Sequence, residues 1–229
     1  MRYDVVLWDV DGTLLNFDAA EEKSLRDCLR AYGVELTDAQ VCAYQAINRR
    51  AWERLERGEI DRQTVFDGRF TDFFALIGAP AIDVRAFNEA YQKALGENYV
   101  WERDARAVCA ALLGRVRMYA VTNGSASVQH SKLAGSGLRK YLDGVFISEE
   151  LGVEKPDARF FALCAARISG YDPKKAIIVG DSLTSDIRGG NNAGIDTCWY
   201  NPKRLANSAG VRVTCEIDGL LKLLPLLEE

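Results

Sequence analysis

Asp9 and Asp11 stand two residues apart at the end of the apolar run Val5-Val6-Leu7-Trp8, and Gly12 and Thr13 follow them. Like charges that close disfavour each other's ionised form, so a fold that gathers them needs positive charge beside them. Three further groups share the pattern of polar chemistry just past an apolar run. Thr122-Asn123-Gly124 closes "VRMYAVT", Lys155 lies in "GVEKPD" after "GVFIS", and Asp181 closes "AIIVGD". Three carboxylates with a lysine and a hydroxyl make an all-oxygen site for a hard divalent cation. Few carboxylates and a shell shared with phosphate suit Mg²⁺. Lys155 adds a second positive charge, and Thr122 with the amides entering the next helix offers an anion seat.

These groups converge only if the runs before them are strands of one sheet. Five β-rich runs are expected: 3–9, 116–122, 144–148, 176–181 and 195–201. Most are continuously apolar, as parallel strands covered on both faces are. Helices are expected at about 103–114, 125–136, 157–169 and 184–193, with Gly or Pro at most junctions. Such alternation predicts an α/β fold with a doubly wound parallel sheet, whose ligands bind beyond the carboxyl ends of the strands. Residues 17–100 hold no strand pattern and are rich in helix formers, far more chain than a crossover needs. They are expected to form an inserted helical cap on a core of residues 1–16 and 101–229. Its hinges are expected at Asn16-Phe17 and at 100–104, where the cap would close over the strand ends. The leucine-rich tail, "IDGLLKLLPLLEE", reads as a packing segment.

Composition narrows the function. A net charge of −4 gives no reason to expect a nucleic-acid polymer or an anionic membrane as partner. No apolar run reaches the length of a membrane span. Arg2, Asp4 and Asp9 leave no signal-peptide block, and the six cysteines form no C-x-x-C pair. They read as small buried hydrophobes in a reducing, cytoplasmic compartment. The single histidine, His130, cannot build a multi-histidine metal site and reads as a helix-surface residue; no G-x-S-x-G elbow accompanies it.

The four segments "DVDGT", "VTNG", "EKPD" and "GDSLTSD" resemble, in order, the four motifs of the haloacid dehalogenase-like hydrolase superfamily. The insert resembles its class-one helical cap. This resemblance implies that Asp9 is a nucleophile forming an aspartyl-phosphate, and that Asp11 first protonates the leaving oxygen and then activates water. It implies that Thr122, Asn123 and Lys155 bind the phosphoryl group. Asp9, the main-chain carbonyl of Asp11, and Asp181 would hold Mg²⁺, with Asp186 counted among the metal residues but behind those that touch the ion. The dehalogenase branch lacks the second aspartate, so Asp11 argues against it. Phosphonate hydrolysis needs a cap lysine, and only Lys23 and Lys93 are available.

Other classes fit less well. A phospho-receiver carries its phosphorylated aspartate after the third strand, where this chain has Ser148-Glu149, and it leaves the helical insert unexplained. A ligand-binding module without turnover would show a lost catalytic residue, and Asp9, Asp11, Lys155 and Asp181 are all present. A sugar-phosphate phosphatase or phosphomutase stays open. The segments "NRRAWERLERGEI", "DGRF", "TLLNF" and "DTCWYNP" resemble the 5′-nucleotidase branch that favours pyrimidine monophosphates. That implies a small-molecule phosphate ester, a nucleotide, acted on by a monomer or homodimer. Phe17, Trp52 and Phe70 are candidate faces for a base, and Asn16, Asn48 and Arg69 candidate edges. Trp52 and Phe70 read singly as packing residues, so only Phe17 is carried as a contact.

Overall fold

Val5–Trp8 is apolar at every position because both faces of its strand are covered. In the computed structural model, which describes residues 1–228, this strand, β1, lies inside a six-stranded sheet. The others are β2 (Arg117–Thr122), β3 (Gly144–Ile147), β4 (Ala176–Gly180), β5 (Asp196–Tyr200) and β6 (Cys215–Ile217), in the order β3-β2-β1-β4-β5-β6. Every pairing is parallel. Val6 and Trp8 pack into one core layer with Met118, Ile177 and Cys198, beside helix α5 (Ala105–Leu112) and the C-terminal α10 (Leu223–Glu228). Val5 and Leu7 pack into the other with Val121 and Ile178, beside α8 (Ala158–Ala165). Alternation along the strand thus feeds both layers.

The chain splits into two compact units: residues 1–16 with the chain from Val100 onward, and Phe17–Tyr99. The second unit has four helices, α1 (Phe17–Arg30), α2 (Asp38–Glu56), α3 (Arg62–Ile77) and α4 (Val84–Glu97). Thr37 opens α2 with a capping box to Gln40, and Asp61 and Asp83 cap α3 and α4 through their side chains. Phe70 and Phe74 of α3 meet Phe87 and Tyr91 of α4, with Phe70 and Phe87 edge-to-face at 4.8 Å, and Phe73 packs edge-on to Tyr44 of α2. In the sheet-bearing unit the two connecting segments lie side by side: Asn16 donates its N–H to the Val100 carbonyl (2.8 Å), and Glu102 donates its own to that of Leu14 (3.0 Å).

The sheet and its five expected strands agree with the sequence reading. Strand β6 was not expected. Residues 184–193 are not one helix: a π-turn over Leu183–Ile187 precedes α9 (Arg188–Ala193). The remaining α-helices among the described residues are α6 (Ala126–Gly135) and the short α7 (Ser148–Leu151). The cysteines need correction as well. Cys109, Cys164 and Cys198 are buried, but Cys28 and Cys215 are half-buried and Cys42 is exposed; all six are free thiols. Among the described residues, no helix is long and apolar enough to cross a membrane.

Candidate active site

The strand order reverses beside β1, which has β2 on one side and β4 on the other. Open α/β sheets form a crevice at the carboxyl ends of the strands flanking such a switch point. Asp9 leaves β1 there, its N–H bonded to the Val179 carbonyl of β4 (2.9 Å). Its Oδ1 accepts from Lys155 Nζ at 2.8 Å and its Oδ2 from Thr13 Oγ1 at 3.1 Å. Lys155 has a side chain only 1 % exposed, and its ammonium also donates to the Val121 carbonyl (2.8 Å) and Asp186 Oδ1 (2.6 Å). All three N–H directions are used, which is how a buried ammonium is tolerated.

Asp186 owes its place to the π-turn. The Ser182 carbonyl accepts from the N–H groups of both Asp186 and Ile187, and Ser182 returns its own N–H to Asp186 Oδ2 at 3.1 Å. The widened turn swings the Asp186 carboxylate back against the strand end. Asp181 is held from two sides, by a long bond from Thr13 Oγ1 to its Oδ1 (3.4 Å) and by Trp199 Nε1 of β5 to its carbonyl (2.9 Å). Gly12, at φ +91°, leaves room for it: a Cβ there would stand 2.7 Å from Asp181 Oδ2.

One carboxylate oxygen from each of Asp9, Asp181 and Asp186 lies within 4.8 Å of the others. Three carboxylates against the single ammonium of Lys155 leave the cluster short of positive charge, and the ionisation of its members shows it. Burial, then the Asp186 charge, pushes the Asp9 carboxyl up to about 7 against the pull of Lys155. Asp181 is exposed as a residue, yet desolvation of its carboxyl by the surrounding protein, then the charges of Asp9 and Asp186, hold it well above the ordinary carboxylate range. Burial alone would lower the Lys155 pKa; the Asp186 and Asp9 carboxylates outweigh it and raise it. An all-oxygen donor set lacking positive charge fits a hard divalent cation such as Mg²⁺.

Asp11 stands apart from this cluster, on the turn after Asp9. Its Oδ1 accepts from Lys132 Nζ and its Oδ2 from Gln129 Nε2, each at 2.6 Å, both from α6. Thr122 ends β2, its Oγ1 accepting from the Gly124 N–H (3.3 Å). Asn123 brackets the lysine: its Nδ2 donates to the Lys155 carbonyl and its Oδ1 accepts the Lys155 N–H, both at 2.9 Å. The sheet therefore brings Asp9, Asp11, Thr122, Asn123, Lys155, Asp181 and Asp186 to one edge.

Phe17 belongs to the helical unit, where it is the half-buried first residue of α1. Phe70 is enclosed in the ring cluster. Asn48 and Arg69 are buried in a polar chain in which Asn48 links Glu21 (2.6 Å) to Arg69 (3.0 Å), and Arg69 reaches Asn88 (2.9 Å). Trp52 packs edge-on to Phe66. Phe70, Asn48 and Arg69 are thus buried within the helical unit, and Trp52 is half-buried there. His130 is exposed on α6, 2.7 Å from Glu150. Sequence reasoning missed Thr13, Gln129, Lys132 and Trp199. Thr13 and Trp199 stood inside quoted segments without being singled out; Gln129 and Lys132 carry no local signal.

Comparison with known proteins agrees with this geometry. Residues 3–194 match a family model described as haloacid dehalogenase-like hydrolase. The chain is 39 % identical, over all of its length and 97 % of the relative's, to pyrimidine 5′-nucleotidase PynA of Streptococcus pneumoniae. It is 31 % identical to pyrimidine 5′-nucleotidase YjjG of Escherichia coli over 99 % of both chains. Among solved structures, that of the HAD-hydrolase YfnB from Bacillus subtilis bound to magnesium superposes with a TM-score of 0.94 at 34 % identity, covering both chains fully.

Proposed function

Because this chain belongs to the haloacid dehalogenase-like hydrolases, we propose that it is a Mg²⁺-dependent phosphomonoester hydrolase that works through an aspartyl-phosphate on Asp9 and prefers pyrimidine nucleoside 5′-monophosphates. The observation that supports the chemistry is Asp9 itself: a buried carboxylate held by Lys155 and Thr13, with a second carboxylate two residues on that is held separately. The substrate class rests on full-length similarity to two pyrimidine 5′-nucleotidases.

An oxygen of Asp9 attacks phosphorus, and the bond to the ester oxygen breaks. Asp11 gives its proton to that departing oxygen, so the nucleoside leaves as an alcohol. The resulting Asp11 carboxylate then takes a proton from water. The hydroxide so formed attacks phosphorus, the bond to Asp9 breaks, and inorganic phosphate leaves. Lys155 pulls the Asp9 carboxyl toward its ionised form and aims it, and Asn123 fixes the Lys155 backbone. Thr122 and the amides leading into α6 would bind phosphoryl oxygens, where charge stabilisation contributes most. Mg²⁺, held by Asp9, Asp181 and the Asp11 carbonyl with Asp186 behind them, would supply charge neutralisation at the phosphoryl group.

The test is a panel of phosphate esters measured as kcat/KM with Mg²⁺ and after exhaustive chelation. UMP, dUMP and dTMP should exceed glucose 6-phosphate and 2-phosphoglycolate by at least about tenfold, roughly 1.4 kcal/mol of differential transition-state binding. EDTA should remove activity and Mg²⁺ restore it. Preference for a hexose phosphate or a two-carbon phosphate overturns the nucleotide assignment; full activity after chelation overturns the metal.

A further inference from the structure

Helix α6 buries a face made of Val128, Gln129, Lys132 and Leu133. Two of the four are polar, three residues apart, and they converge on one side chain. Lys132, 1 % exposed, gives its ammonium to Asp11 Oδ1, and Gln129 gives its amide N–H to Asp11 Oδ2. Burying an ammonium and an amide is unfavourable unless both are paired, and an apolar residue at either position would pack this face without that cost. The amide of Gln129 turns its N–H to Asp11 and leaves its Oε1 buried with no partner. Nothing about packing α6 calls for that arrangement. The backbone makes room for it as well: a Cβ on Gly124 would overlap the Gln129 amide.

Asp11 needs such fixing. It sits on a turn, beside a glycine at positive φ, with its side chain 21 % exposed. One donor on each carboxylate oxygen, both from a single helix, fixes the direction of the whole group. We infer that Gln129 and Lys132 are positioning residues that aim Asp11 at the oxygen leaving phosphorus. The inference rests on the reading of Asp11 as proton donor given above.

The experiment compares two esters on K132M, Q129M, D11N and the wild type. One is p-nitrophenyl phosphate, whose leaving group departs as a stabilised phenolate and needs little protonation. The other is the alkyl phosphate that the wild type turns over fastest in the panel, UMP on the present reading. The readout is the ratio of their kcat/KM values, from which the fraction of active enzyme cancels, so mere loss of structure does not move it. K132M and Q129M should each lower the alkyl-to-phenyl ratio at least about tenfold, part of the 10²–10⁴ that a well-placed general acid contributes. Should K132M not fold, Q129M decides by the same ratio. If D11N lowers the ratio while K132M and Q129M keep the wild-type value, the positioning role is overturned and the general acid stands. If D11N itself leaves the ratio unchanged, the proton-donor reading falls and this inference with it.

Discussion

Asp9 and Asp11 repel, yet the fold keeps both because each has its own buried lysine. Lys155 arrives from the loop after α7 and bonds Asp9; Lys132 arrives from α6 and bonds Asp11. The two carboxylates are thereby set to different tasks by different partners. Lys155 links the Asp9 carboxylate to Asp186, whereas Lys132 and Gln129 occupy both oxygens of Asp11. Replacing Asp9 by Asn removes the attacking anion while leaving Lys155 bonded to Asp186 and the Val121 carbonyl. D9N should therefore fold and bind but lose at least about 10³-fold in kcat, the scale on which an essential group is lost. Turnover with a thermal melt beside it checks this, and near-wild-type activity would remove Asp9 as nucleophile.

At the scale of elements, the parallel sheet was legible because its strands are apolar on both faces and end in polar motifs. Asp9, Thr122 and Asp181 could be placed because each ends or directly follows such a strand, whereas Lys155 lies past the short α7 and was placed by the segment "EKPD". Strand β6 was not legible: three residues, "CEI", carry neither an apolar run nor an alternation long enough to read. The π-turn reads as the start of a helix, since only its hydrogen bonds to Ser182 reveal the extra residue that brings Asp186 inward. Lys132 and Gln129 were hidden for another reason. Helical spacing shows that they share a face, but only the tertiary fold shows that this face meets Asp11. Gly12 takes a positive φ with Asp181 packed where a side chain would be. Gly12→Ala should cost about 1–2 kcal/mol in urea unfolding from the left-handed backbone. It should also lower kcat by on the order of 10²-fold, the penalty for displacing a reacting group by about 1 Å. Unchanged kcat would show that Asp181 tolerates displacement.

Across the molecule, stability depends on carboxylates buried in both units. In the helical unit Glu21 is 2 % exposed, and burial pushes its carboxyl up to about 7, against the opposing Asn48 hydrogen bond and the Arg69 charge. The folded state therefore keeps a proton that the unfolded chain has released once pH exceeds the ordinary carboxylate value of 4.5. Stability from this group is full at acid pH, falls as pH rises between about 4.5 and about 7, and stays reduced above that. Asp9 in the sheet-bearing unit has the same sign, its carboxyl likewise raised. Glu21→Gln supplies a neutral side chain of the same shape whose carbonyl can still accept from Asn48 Nδ2. At pH 8 that variant should be more stable than the wild type by about 1–3 kcal/mol, the penalty that a raised carboxyl pKa of this size implies. The advantage should shrink toward zero by about pH 5, where folded Glu21 carries its proton. Urea melts of both proteins at the two pH values measure it directly. A variant less stable than the wild type at pH 8 would mean that the attraction of Arg69, relayed through Asn48, outweighs burial and that Glu21 supports the helical unit as an anion.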